Sequence, residues 1–111
     1  MKLYIAPRAP NPRRVQMFMH EKGIPPIEQV AVDINAGEHR QPAYRAKNPA
    51  SRVPALELDD GRVLSETRAI CTYLEGIHPQ NNLMGDDFEE RAFIEMHDRR
   101  VEWYLLLPIA N

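Results

Sequence analysis

Asn48–Leu56 reads NPASRVPAL, and Ser65–Cys71 reads SETRAIC a short distance further on. Between and around them, Val53–Leu58 and Arg62–Leu64 flank Asp59-Asp60-Gly61. An Asp-Gly turn between two apolar runs is a β-hairpin signal. Ser65 then stands where a helix cap is expected, and Ile70, Tyr73, Leu74 and Ile77 fall on one face of the helix that would follow. The middle of the chain therefore reads as hairpin and helix.

Upstream, Leu3–Ala6 is a short apolar run ended by Pro7 and Pro10, the pattern of a buried strand. Asn11-Pro12 predicts a helix start, with Asn11 as cap and Pro12 in the first helical position. Val15, Phe18, Met19 and Lys22 share a face of that helix, and Gly23 closes it. Pro25-Pro26 turns the chain into a second strand, Glu28–Asp33, with Val30 and Val32 facing alike. Asn35–Gln41 (NAGEHRQ) is polar and reads as loop, with a short helix over Pro42–Lys47 after it. Downstream, residues 79–85 read as a linker, and Asp86-Asp87-Phe88-Glu89 resembles a capping box opening a long helix that ends near Pro108. Strand, helix, strand, helix, hairpin, helix gives an α/β domain: a mixed four-stranded sheet with helices on both faces.

With 111 residues the chain is about one small domain with a modest core. A formal charge of −2 provides no basic field for general nucleic-acid binding. Cys71 is the single cysteine, so no internal disulfide or cysteine-rich zinc site is expected, and the four histidines lack close metal-ligand spacing. No run approaches the roughly 18 apolar residues of a membrane span, and Met1–Ala6 lacks the apolar core of a signal peptide. A cytoplasmic protein without metal or membrane partner is the expectation.

The combination of Ala9–Val15 (APNPRRV), Gly37–Arg40 (GEHR), Asn48–Leu56 and Thr67–Cys71 (TRAIC), in this order and at these separations, resembles the glutathione transferases over about residues 1–80. Within that family the likeness runs to bacterial nu-type enzymes and the yeast prion-forming nitrogen regulator. The resemblance implies a thioredoxin-like, glutathione-binding domain over residues 1–78. After the linker, 86–111 would be the first helix of an all-helical second domain that is otherwise missing. It also implies glutathione as co-substrate, a role in detoxification and a homodimer. The apolar tail Trp103–Ile109 would have little of its own chain to bury against, which suggests a fragment of a longer chain or cover by another copy.

The same resemblance assigns a site. A cis Val53–Pro54 bond would turn the Val53 N–H and C=O outward to pair with the cysteinyl backbone of glutathione as an added strand. Glu66 and Thr67, at a helix start with unpaired backbone N–H groups, suit the γ-glutamyl carboxylate, with the Glu66 side chain holding the ammonium. Acidic and hydroxyl residues also favour a helix's first turn for its own sake. His39 and Arg52 are candidates for the glycyl carboxylate, Arg52 through its planar fork of donors.

The thiol position departs from the better-known classes. The serine-type hydroxyl would fall at Ala9, Tyr4 lies within a strand, and Cys71 lies inside a helix and reads as a core thiol. Lowering a thiol pKa of about 8.5 by two requires roughly 2.7 kcal/mol. A helix N-terminus provides about 0.3–1 kcal/mol. A hydrogen bond to a charged group adds about 1.5–3 kcal/mol. The Asn11 side-chain amide is the nearest such donor and the candidate catalytic group. The resulting expectation is an enzyme that activates glutathione for conjugation to an electrophile or reduction of a disulfide. The alternative is a non-catalytic, transferase-like binding or regulatory module.

Overall fold

The computed structural model describes residues 1–110. Its sheet comprises β1 (Lys2–Ile5), β2 (Glu28–Ala31), β3 (Ala55–Glu57) and β4 (Val63–Ser65), in the spatial order β2-β1-β3-β4. The β1–β2 pair is parallel, with Tyr4 opposite Val30, and requires the helical crossover α1 (Pro10–Lys22). β3 is antiparallel to β1, with Leu3 opposite Leu56, and the hairpin pairs Leu56 with Leu64. Gly61, at φ +89°, takes the left-handed position of the Asp59-Asp60-Gly61 turn, as its missing Cβ allows.

The sheet is covered on both sides. Leu3, Leu56 and Leu58 pack with Val15 and Met19 of α1 and with Ile70, Cys71 and Leu74 of α3 (Thr67–Ile77). Tyr4, Val32 and Ala55 pack on the opposite side with Tyr44 of α2 (Pro42–Lys47). The period-two alternation of Leu3 and Tyr4 thus divides one strand between two cores. Burying each large aliphatic side chain in the first core contributes about 1.5–3 kcal/mol. This is the thioredoxin-like arrangement expected from the element order, with β2 two residues shorter than the Glu28–Asp33 expectation.

Three helices differ from expectation at their ends. α1 starts at Pro10 rather than Pro12, with Ala9 as the cap residue in extended conformation. The fixed φ of Pro10 suits the first helical position and its ring holds Ala9 extended, so Asn11 lies within the first turn and caps nothing. Ser65 stays in β4, and the residue before α3 is Glu66. The third differs at both ends. α4 (Phe88–Val101) is capped one residue later than the Asp86–Glu89 pattern, Asp87 accepting from the Glu90 N–H at 2.8 Å, and it changes form before reaching Pro108. A π-helical stretch, Glu102–Leu106, leads into α5 (Leu107–Ala110). Pro108 has no N–H for the Tyr104 carbonyl and its ring would strike it, and the preceding turn widens, with the Leu107 N–H reaching the Glu102 carbonyl.

The connection between α3 and α4 is fastened to the first core by a buried cation. Lys22, on the apolar face of α1, donates to Glu75 Oε2 (2.5 Å) and to the carbonyls of Gln80 (3.0 Å) and Asn81 (3.1 Å). Glu75 Oε1 accepts from the Leu83 N–H at 2.7 Å. Burial raises the Glu75 pKa, but the Lys22 hydrogen bond, the Leu83 donor and the Lys22 charge together hold it below the usual carboxylate range.

Candidate functional site

The first turn of α1, the segment before β3 and the β4–α3 junction meet at one open cleft. Asn11 comes from the first turn of α1, Arg52, Val53 and Pro54 from the approach to β3, and Glu66 and Thr67 from the start of α3. Six of the seven residues marked in the sequence therefore line a single surface. Its enclosed part is only about 70 Å³, so a tripeptide would lie along it rather than inside it. His39 is outside this lining; it sits on a 3-10 turn, Glu38–Arg40, half-buried, with Nδ1 buried and unpaired. A larger cavity of about 610 Å³ lies along α3, the connection and α4, and contains none of the seven.

The Val53–Pro54 peptide bond is cis. Sheet pairing of β3 begins at Ala55, so the Val53 N–H and C=O stand beyond the ladder at the cleft. The segment ahead of them is held from behind. The Arg52 carbonyl accepts from Asn48 Nδ2 at 2.8 Å and from the Tyr44 hydroxyl, while Asn48 Oδ1 takes the Ala50 N–H at 3.3 Å. Burial pushes the Tyr44 phenol up, which keeps it a donor. Asn48 is 3% exposed, and its two-ended amide fixes the loop that presents Arg52 and Val53.

Glu66 has φ 75° and ψ 123°, in the left-handed half of backbone space that a side chain disfavours. Arg8, in the β1–α1 loop, and Ser51, next to Arg52, also have positive φ. Of these, Glu66 lines the cleft and Ser51 lies between the lining residues Ala50 and Arg52, whereas Arg8 does not line it. The Glu66 carbonyl accepts the first helical bond, from Ile70, which leaves the N–H groups of Thr67, Arg68 and Ala69 without helical acceptors. Thr67 is buried at this helix tip. With the dipole of an 11-residue helix behind it, the tip favours a carboxylate.

At the start of α1, Asn11 Oδ1 accepts from Arg14 Nη1 at 3.1 Å, so its amide Nδ2 is the end left for another acceptor. Arg14 Nη2 donates in turn to Asp98 Oδ1 of α4 at 3.2 Å. Tyr4 is engaged elsewhere: its hydroxyl donates to Glu57 Oε2 (3.1 Å) and its ring meets Tyr44 edge-on at 5.8 Å. Cys71 is buried in the core, where desolvation pushes its thiol up to about 11. Arg68 lies 4.0 Å from Asp98.

Five lining residues were not marked in the sequence as site residues: Asn48, Ala50 and Ser65, which lie within the quoted stretches, and Glu102 and Leu107, which lie far from them. Glu102 and Leu107 reach the cleft from the π-helical stretch and α5, and no local motif marks them. Asn48 belongs to the quoted motif, but its bracing role emerges only when α2 and the loop meet. Among the described residues no helix is long and apolar enough to cross a membrane, and no group of three His, Cys, Asp or Glu side chains could hold a metal ion.

A thioredoxin-like sheet, a cis-proline turn and the starts of two helices thus converge on one cleft. Residues 3–82 match the family model described as "Glutathione S-transferase, N-terminal domain", and the chain belongs to the glutathione S-transferase family. It is 35% identical over 111 residues to Glutathione S-transferase 2 of Saccharomyces cerevisiae, covering 99% of this chain and 48% of that protein. It is 43% identical over 94 residues to the maleylacetoacetate isomerase of Pseudomonas aeruginosa, covering 83% and 44%. Among solved structures, a glutathione transferase homologue from Sulfitobacter with bound glutathione superposes with a TM-score of 0.81 at 32% identity, over 90% of this chain and 47% of that one. The chain thus spans about half the length of the relatives it matches.

Proposed function

We propose that the cleft binds glutathione and lowers the pKa of its thiol, for conjugation to an electrophile or reduction of a disulfide. The observation that carries this reading is the convergence of the Val53–Pro54 turn with the starts of α1 and α3 on one surface. The cysteinyl backbone of the peptide pairs with Val53 N–H and C=O. The γ-glutamyl carboxylate takes the helix tip at Thr67, with its ammonium against Glu66. Arg52 takes the glycyl carboxylate, and His39 is a further candidate should the 3-10 turn reach the peptide's end. The sulfur lies toward the tip of α1, where the Asn11 amide donates to the thiolate.

The bound-glutathione structure of the Sulfitobacter homologue supports the ligand, since that protein has the same fold at 32% identity. Relatives named as transferase and as isomerase support several reactions of one glutathione thiolate. The turn at Ala9–Asn11, which resembles nu-type enzymes, makes disulfide reduction by two glutathione molecules as favourable a reading as conjugation. Residues 1–78 would form the binding domain, 79–85 the linker and 86–111 the opening of a helical domain; residue 111 lies outside the described residues. Trp103, Tyr104, Leu105 and Ile109 are largely exposed, which favours cover by further helices or by a second copy in a homodimer. A cytoplasmic role in detoxification fits this chemistry.

One observation favours the non-catalytic reading: Ala9 stands where a hydroxyl would reach the thiol. Titration calorimetry with glutathione separates the two readings, with the thiolate absorbance of the complex as a second arm. No binding refutes the enzyme and favours the module; binding with a shifted thiol favours the enzyme, and binding with an unshifted thiol favours the module.

A further inference from the structure

We infer that Arg14 is a positioning residue that fixes which end of the Asn11 amide faces the cleft; this rests on the thiol-donating role proposed above for Asn11. An asparagine amide has two ends of nearly equal shape and opposite character. Rotated one way it presents an N–H₂ donor, which stabilises a thiolate; rotated the other way it presents an oxygen, which repels one. The first turn of a helix does not by itself choose between them. Arg14 does, because a guanidinium has donors only, and its Nη1 sits 3.1 Å from Asn11 Oδ1.

The fork is itself held in place. Nη2 donates to Asp98 Oδ1 at 3.2 Å, and Nη1 is 4.0 Å from Glu102 Oε1. Both carboxylates come from the helix that follows the linker, and Asp98 also lies 4.0 Å from Arg68 of α3. The Arg14 side chain is 23% exposed, so its alternatives are limited. The charged groups facing Asn11 are therefore Arg14 on its own helix and, around the same cleft, Arg52, Glu66 and Glu102. The docking of α4 thus reaches the thiol position through two side chains, although α4 supplies no donor to it.

The test measures the thiolate absorbance of bound glutathione against pH, alongside affinity for S-methylglutathione, which has no ionisable thiol. Arg14→Gln is expected to lower the bound thiolate fraction at neutral pH about tenfold, as loss of one hydrogen bond to a charged group would. Affinity for S-methylglutathione should change less than about twofold. In an Asn11→Ala background, Arg14→Gln should produce no further fall. A further fall of similar size there would mean that Arg14 acts by its own charge, and would overturn the positioning role. So would an unchanged thiolate fraction in Arg14→Gln when Asn11→Ala lowers it. If Asn11→Ala itself changes nothing, the thiol-donating role of Asn11 fails first, and the inference with it. Should Arg14→Gln not fold, judged by circular dichroism, Arg14→Lys keeps the charge and loses the planar fork. It is expected to lower the thiolate fraction several-fold, and wild-type behaviour would count against the inference.

Discussion

Replacing Lys22 by methionine should destabilise the protein far more than its place on a helix surface pattern suggests. The side chain is fully buried, and its three donors meet three acceptors: Glu75 Oε2, Gln80 O and Asn81 O. Methionine fills similar volume, so cavity formation contributes little. What remains is the Glu75 carboxylate, with a side chain 13% exposed, and two carbonyls that lose their donor. Breaking a buried pair from one side costs about 3–5 kcal/mol. Against a total stability of roughly 5–15 kcal/mol this is a large share, and it corresponds to a fall in Tm of about 15–25 °C. The sign with pH follows from Glu75. Its folded pKa lies below its unfolded value, so the pair's contribution is present above the normal carboxylate range and is lost as pH falls through the folded value. In Lys22→Met the carboxylate is desolvated without a partner and protonates more readily, so the gap between variant and wild type should narrow toward acid. Urea denaturation followed by far-ultraviolet circular dichroism at several pH values measures both effects. A difference under about 1 kcal/mol at neutral pH, or one that does not vary down to acid pH, would refute the reasoning.

Three further outcomes are expected. Glu66→Gly relieves a left-handed φ worth about 1–3 kcal/mol, offset by the flexibility of glycine, so the variant should melt at or above wild type while its glutathione affinity by calorimetry falls at least tenfold. Asn48→Ala strips one donor from the part-buried bond to the Arg52 carbonyl and should cost about 1–3 kcal/mol in urea denaturation. The loss of glutathione affinity should exceed that in Tyr44→Phe, because Asn48 holds the loop by two bonds, to the Arg52 carbonyl and from the Ala50 N–H, and Tyr44 by one. Cys71, with its thiol at about 11, is thiolate in about one molecule in a thousand at pH 8, so Ellman's reagent should label it only after denaturant is added.

Much of the fold was legible because its signals are local. The Asp59-Asp60-Gly61 turn, the Gly23 cap and the buried strand in the apolar run Leu3–Ala6 each depend on a few adjacent residues, and each is found as read. The same locality explains the errors. Asn11 and Ser65 are good capping residues, but Pro10 fixes the start of α1, and Ser65 is paired with Ala55 in β4, so Glu66 takes the position before α3.

The candidate site divides along the same line. The resemblance marked which groups would suit an anionic thiol peptide, and residue chemistry gave each its reason: a donor fork at Arg52, a helix tip at Thr67, an amide at Asn11. Only the tertiary structure brought six of them to one surface and kept His39 off it, because the meeting of α1, α3 and the β3 approach depends on the packing of Val15, Leu56 and Ile70 in a shared core. The bracing of Arg52 by Asn48 and Tyr44, the approach of Glu102 and Leu107, and the choice of amide end by Arg14 all involve contacts between separate elements. Propensity and spacing act over a few residues along the chain; which long side chain finds which partner across the fold is decided when the cores close.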